Sequence, residues 1–338
     1  MLQGHGDDSY RYAQKIIADF STNVWYGGEP SGLKEYIFAQ WSTINRYPEV
    51  MAESLSELVA SHHYLNPEQI LINSGTTESI YLIAQAFAGK VTTIVTPSFA
   101  EYEDACKLYQ HDLTFLPWSK IEEFPELSTD LVFICNPNNP TGKTFSQLEK
   151  WIQQNPETLF VVDEAFIDFT VQINSSIPLI DQYPNLLIMH SLTKAYAIPG
   201  LRLGYVVASE NLVSKLKSIK QPWTVNTMAL EAGKFIFENY QQIQIPLKNL
   251  LMEKERFAVK LSQNPVLKIH ESATHFFLAE TLKGDAAELK QFLIEKYGLL
   301  IRDASNFRDL TKKYFRIATL SPEKNNQLIE ALDEWRNY

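Results

Sequence analysis

LFVVDEAF, residues Leu159–Phe166, and HSLTKAYAIPGLRLGY, residues His190–Tyr205, decide the fold of this chain. The first is an apolar run that ends on Asp163. The second follows the apolar run Leu186–Met189 and carries Lys194 and, eight residues later, Arg202. Short runs that are apolar at nearly every position and rich in β-branched residues mark strands covered on both faces. Working outward, the same signature recurs at Gln69–Ile72, Val91–Val95, Leu131–Ile134 and Leu203–Val207. Between the runs lie amphipathic helical patterns such as Glu78–Phe87 and Ser146–Gln154. This alternation predicts an α/β fold: a mostly parallel sheet with helices on both faces.

The pattern changes after Ser209. Leu212–Ser218, Ala229–Glu238 and Ile245–Leu261 read as helices. Thr274–Glu280 and Tyr314–Ala318 then read as strands, and Ala286–Lys296 and Pro322–Trp335 as helices. A large domain is therefore expected over 45–240. A smaller α+β domain is expected from 241–338 together with an N-terminal arm, 1–44.

Composition narrows the function. The chain has 338 residues, 45% of them hydrophobic, and a formal net charge of -10, a balance that disfavours nucleic acid or an anionic membrane as partner. The opening MLQGHGDDSY lacks the apolar core of a signal peptide, and no apolar run approaches the ~20 residues that span a bilayer. Cys106 and Cys135 form no CxxC, and His62, His63, His111, His190, His270 and His275 show no metal-ligand spacing. A cytoplasmic enzyme with reduced thiols and no metal is the expectation.

Three loops carry the chemistry. Asn73-Ser74-Gly75-Thr76-Thr77-Glu78 joins an apolar run to a helical pattern. Free backbone N–H groups, the helix dipole and two hydroxyls suit that turn to a phosphate, although a plain capped helix reads the same way. Asn136-Pro137-Asn138-Asn139-Pro140-Thr141-Gly142 is a rigid loop at a strand's C-terminal end, where open α/β sheets bind ligands. A carboxylate sunk at a strand end, such as Asp163, is costly unless it meets a positive charge. A protonated pyridine nitrogen is such a partner, Lys194 can condense with an aldehyde, and Ser191 and Arg202 can hold a phosphate.

Taken together, these loops resemble the fold type I, aspartate-aminotransferase-like family of pyridoxal 5′-phosphate (PLP) enzymes, from about Asp19 to the C-terminus. The resemblance implies PLP as cofactor, Lys194 as the Schiff-base lysine and Asp163 as partner of the pyridinium nitrogen. It implies that Asn139 bonds the ring oxygen, that Tyr102 in PSFAEYE stacks on the ring, and that Gly75, Thr76, Thr77, Ser191 and Arg202 bind the phosphate. Tyr47 in NRYPE would reach the phosphate of a neighbouring subunit, so a homodimer is implied. Arg316 in YFRIA would take the substrate carboxylate as a bidentate pair. A non-catalytic module on this fold would be expected to have lost these residues.

Within the family, the ends of the chain are similar to the L-threonine-O-3-phosphate decarboxylases of cobalamin biosynthesis more than to the histidinol-phosphate aminotransferases. His5-Gly6 followed by Asp19-Phe20-Ser21-Thr22-Asn23 resembles the decarboxylases' HGG and DFS-x-N. Leu300–Arg308 resembles their RD-x-x-NF segment. Asp7 stands where the second glycine is usual, Asp309 follows Asn306-Phe307-Arg308 in place of glycine, and Val24–Pro30 replaces an NPLGPP-like stretch. Arg302, Asn23 and His5 are the further candidates for substrate contact, and Arg302, Arg308 and Arg316 together would suit a carboxylate and a phosphate at once. A clear departure from the wider family is Phe166, where a tyrosine usually donates to the cofactor's phenolic oxygen. Without that donor the phenolate leans on the imine proton and on Asn139, so Phe166→Tyr should lower the pKa of the lysine–cofactor imine. A spectroscopic pH titration of the two proteins checks this; a higher value in Phe166→Tyr would contradict it.

Overall fold

The computed structural model describes residues 6–336. In chain order it opens with β1 (Ala18–Asp19), α1 (Leu33–Ala39) and α2 (Glu53–His63). There follow β2 (Ile70–Asn73), α3 (Gly75–Ala86), β3 (Val91–Thr96), α4 (Ala100–Leu108), β4 (Asp112–Pro117), β5 (Leu131–Cys135), α5 (Leu148–Gln154), β6 (Leu159–Asp163), β7 (Leu186–Ser191) and β8 (Gly204–Ala208). The remainder comprises α6 (Glu210–Lys217), α7 (Thr227–Glu238), α8 (Leu247–Ser262), β9 (Leu267–Ile269), β10 (Phe276–Thr281), α9 (Ala286–Tyr297), β11 (Leu299–Leu300), β12 (Arg302–Asp303), β13 (Tyr314–Ala318) and α10 (Pro322–Trp335).

The central sheet has the order β2-β8-β7-β6-β5-β3-β4. Strands β4, β3, β5, β6 and β7 run parallel, whereas β8 is antiparallel to both β7 and β2. Every residue of β5, β6, β7 and β8 is buried, as the unbroken apolar runs require. One strand of this sheet escaped the sequence reading, as did the short strands β1, β9, β11 and β12. Edge strand β4, DLTFLP, alternates exposed and half-buried positions and so lacks the continuous apolar signature.

The sheet and its helices enclose one large apolar cluster. A second is built from Phe257, Phe277, Phe292, Phe315 and their neighbours, and takes in Ala18 and Phe20 from the N-terminal arm. The arm is held there because β1 pairs in parallel with β11, and Asp8 forms an ion pair with Lys290 at 2.7 Å. Leu33, by contrast, packs into the large cluster, so α1 lies with the central sheet rather than with the rest of the arm.

Gly142 ties the Asn136–Gly142 loop to the segment that leads into β10. Its φ is +70°, and its carbonyl accepts from the Ala273 N–H at 2.8 Å. A Cβ there would fall 1.9 Å from Ser272 Oγ and 2.9 Å from Thr274 Oγ1. Gly142→Ala should cost about 1–2 kcal/mol from the left-handed backbone alone, plus the displacement of Ser272. Thermal denaturation checks this. Adding Ser272→Gly should recover only the steric part of the loss.

Candidate active site

The strand directions gather the predicted residues at one end of the sheet. Strands β5, β6 and β7 deliver the Asn136–Gly142 loop, Asp163 and Ser191 from their C-terminal ends. Because β8 runs the other way, it begins where those strands finish, with Gly204 opposite both Asn73 and Ser191. Arg202, two residues earlier and at φ +61°, is thereby brought against the first turn of α3.

A cavity of about 400 Å³ opens at this convergence. Thr76, Thr77, Tyr102, Asn139, Asp163, Ser191, Lys194 and Arg202 line it, and Asn23, Arg302 and Arg316 close it from the other side. Gly75 sits just behind Thr76, with φ +79°; a Cβ there would come within 2.6 Å of Arg202 Nη2. Tyr47 lies outside this cavity, 84% exposed and 5.1 Å from the Trp223 ring. His5 lies outside the described residues.

Asp163 is buried, with both oxygens occupied. Its Oδ2 accepts from the Tyr102 hydroxyl at 2.6 Å and its Oδ1 from the Ala165 N–H at 2.9 Å. Burial pushes its pKa up, while Tyr102, Ala165 and the Lys194 charge oppose the rise. The resemblance had assigned Tyr102 to stack on a ring. Instead its hydroxyl is committed to Asp163, and its ring stacks on Phe133 at 5.3 Å. Phe99, three residues earlier in the same PSFAEYE stretch, also lines the cavity and was missed from sequence. Nothing in a single sequence separates the two aromatics; the helical turn between them does.

Lys194 faces Asp163 across the cavity floor. Burial, then Arg316 and Arg202, lower its pKa to about 8, with Asp163 and Asp7 pulling the other way. Asn139 is set by a loop pinned through its neighbours: Asn138 Nδ2 donates to Pro97 O, and Thr141 Oγ1 donates to Asn138 Oδ1. The Asn139 Oδ1 accepts from Arg316 Nη1 at 2.5 Å, which turns its amide nitrogen free to donate elsewhere.

Arg302 and Arg316 are cross-strand partners in the β12–β13 pair, and both are buried. Like charges directly opposite are destabilising. Burial and Arg302 push the Arg316 guanidinium down to about 9, and burial lowers Arg302 to about 10. Among the described residues neither has a carboxylate within ion-pair distance. Arg316 Nε has no hydrogen-bond partner, and neither does either amide atom of Asn23. Arg308 does not join them: it forks onto Glu103 at 2.7 and 3.0 Å and lies over the Phe115 ring. The sequence expectation of three arginines at one substrate is thus corrected to two, because Glu103 on α4 supplies the nearer anion. Asp7 and Asp19 also line the cavity, from the arm.

A buried carboxylate braced by two hydrogen-bond donors, a lysine of lowered proton affinity, a glycine-cleared turn against a guanidinium and a free amide donor fit PLP by their own chemistry. The comparisons agree. The model of the aminotransferase class I and II family matches residues 16–332. The chain belongs to that family. It is a PLP-dependent enzyme.

Among its relatives, the threonine-phosphate decarboxylase of Salmonella typhimurium is 32% identical, over 94% of this chain and 90% of the relative. A histidinol-phosphate aminotransferase of Thermoanaerobacter pseudethanolicus is 33% identical, over 87% of this chain and 85% of the relative. The crystal structure of L-threonine-O-3-phosphate decarboxylase from Porphyromonas gingivalis superposes with a TM-score of 0.93 at 37% identity, covering 95% of this chain and all of that one.

The lysine gives a testable linkage. Its folded pKa lies below its ordinary value near 10.5, so between about pH 8 and 10.5 the unfolded chain holds a proton that the folded chain has released. Stability should therefore rise with pH across that window. Lys194→Met should abolish this contribution, on the order of 3 kcal/mol. Urea midpoints of the cofactor-free proteins at pH 8 and pH 10 measure the difference.

Proposed function

We propose that this enzyme decarboxylates L-threonine O-3-phosphate, and that the buried Arg302–Arg316 pair carries the specificity. A substrate with a carboxylate and a phosphate on one small skeleton neutralises both guanidiniums at once. Histidinol phosphate has no carboxylate and would satisfy one of them. The 37% identity to the L-threonine-O-3-phosphate decarboxylase from Porphyromonas gingivalis, over 95% of this chain, supports the same reading.

In this reading Lys194 would hold the cofactor through its amine and would be placed to give a proton to the substrate's α-carbon. Asp163, whose oxygens accept from the Tyr102 hydroxyl and the Ala165 N–H, would face the cofactor's pyridine nitrogen. When bound, PLP supplies the electron sink for the pair released at the α-carbon. Phe99 offers the aromatic face toward the ring, and Asn139 donates to the ring oxygen. Thr76, Thr77, Ser191 and Arg202 bind the cofactor phosphate, with Gly75 leaving room for the guanidinium.

Arg316 takes the substrate carboxylate, Arg302 the substrate phosphate, and Asn23 completes the pocket. By fixing the carboxylate, Arg316 would decide which bond at the α-carbon the cofactor activates. An error of about 1 Å in such positioning costs about 10²-fold in rate. We take the central sheet and its helices, α1 included, as the cofactor-binding unit, and the arm strand β1 with α8–α10 and β9–β13 as the unit that supplies these substrate groups.

A homodimer is part of the proposal. Phe38, Trp41, Ile44, Tyr47, Val50 and Trp223 are all exposed large apolar side chains, and Trp223 N–H donates to Val50 O. A patch of this kind marks an interface, and a second copy seated on it brings Tyr47 toward the partner's phosphate. No helix among the described residues is long and apolar enough to cross a membrane; we take the enzyme to be cytoplasmic.

The test is CO₂ release from L-threonine O-3-phosphate with no oxo-acid acceptor. Steady release is expected, and Arg302→Met should raise KM by about 10²-fold, the weight of a lost charged hydrogen-bond partner. No release, with histidinol phosphate and 2-oxoglutarate turned over instead, would move the enzyme to the aminotransferase branch.

A further inference from the structure

Behind the first turn of α3 lies a buried ion pair. Lys220, in the segment that follows α6, has a side chain only 1% exposed, and its Nζ donates to Glu78 Oε1 and to Thr224 Oγ1. The other carboxylate oxygen of Glu78 accepts from the Ser74 N–H at 2.5 Å. Glu78 therefore sits in the same helical turn as Thr76 and Thr77 and takes one of the N–H groups at the mouth of the helix. The N–H groups of Gly75, Thr76 and Thr77 have no partner within the helix, as at every helix N-terminus.

This arrangement sets two anions against each other. A carboxylate in the first turn competes with a bound phosphate for the positive end of the helix. Left alone in a partly buried site, Glu78 would repel a phosphate dianion with little solvent screening. Lys220 removes that repulsion: it is close enough to neutralise Glu78, and its burial keeps water from doing the same job. Burial lowers the Lys220 pKa and Glu78 opposes the fall.

We propose that Lys220 is a positioning residue for the cofactor phosphate, acting through Glu78. It aligns the carboxylate that caps Ser74, and it cancels the charge that would otherwise disfavour the phosphate. The proposal rests on the reading of Gly75, Thr76, Thr77, Ser191 and Arg202 as the phosphate cup. It concerns affinity for the phosphorylated cofactor and is independent of which amino acid the enzyme consumes.

The experiment strips the holoenzyme of cofactor and titrates it back, following absorbance, with PLP and separately with pyridoxal, which lacks the phosphate. Lys220→Met should weaken PLP by about tenfold or more while moving pyridoxal by less than about twofold, because only the phosphate feels the uncovered carboxylate. Glu78→Gln keeps an acceptor for Ser74 and should bind PLP as tightly as wild type or more tightly. The double variant should return to within about threefold of wild type, the signature of coupled charges. Lys220→Met weakening both ligands equally, or neither, would overturn the proposal. If Lys220→Met does not fold, Glu78→Gln decides alone: PLP weakened relative to pyridoxal would also overturn it. Wild type that binds pyridoxal as tightly as PLP would instead sink the phosphate cup itself.

Discussion

Gly204 is the point at which the phosphate end of the site is held together. A Cβ on it would fall 2.8 Å from the His190 carbonyl and 3.2 Å from the Thr76 N–H. Its absence lets three backbone segments touch: the end of β7, the start of β8 and the first turn of α3. From that contact follow the positions of Ser191, Arg202, Thr76 and Thr77, and the approach of the Arg202 guanidinium to Gly75. The antiparallel direction of β8 matters for the same reason. A parallel strand would have delivered Arg202 to the opposite end of the strands.

The second organising feature is charge. The chain is acidic overall, yet its cavity collects Lys194, Arg202, Arg302 and Arg316. Gathering four cations at one cavity, two of them (Arg302 and Arg316) buried, is expensive, and the cost is met in different ways. Lys194 lowers its proton affinity. Arg202 reaches the mouth of the site, where it bonds the Pro199 carbonyl. Arg302 and Arg316 face each other across a strand pair with only neutral acceptors, Asn306, Asn139 and backbone carbonyls, to satisfy them. Such a pair is a standing demand for anions. Asp163 is the mirror case: a buried carboxylate whose pKa burial raises, opposed by a tyrosine hydroxyl, a backbone N–H and the lysine charge.

The N-terminal arm belongs to the site rather than to its periphery. Residues 18–23 run between β11 and β13, with Phe20 accepting from Ala318 and donating to Leu300. The Ser21 carbonyl accepts from Arg316, and Asn23 faces the cavity. The same short stretch thus fixes a guanidinium and walls the pocket. Asp8 and Lys290 hold the arm further out, so the wall is tied to the smaller apolar cluster at two places.

Much of this was readable in the order of the residues. Apolar runs ending on Asp163 or leading to Lys194 identified doubly covered strands, since only a strand buried on both faces dispenses with alternation. Loops at strand ends located the cofactor chemistry, since a buried carboxylate or lysine needs a partner wherever it falls. Pairings between distant segments could not be read. Tyr102 and Phe99 look equivalent until the first turn of α4 sends one hydroxyl to Asp163. Arg308 looks like a substrate ligand until Glu103 lies beside it. Lys220 and Glu78, 142 residues apart, carry no mark of each other in the sequence. Local pattern is set by which residues tolerate burial, and the chain states that directly. Who neutralises whom depends on which strands and helices are neighbours, and that only the packed structure decides.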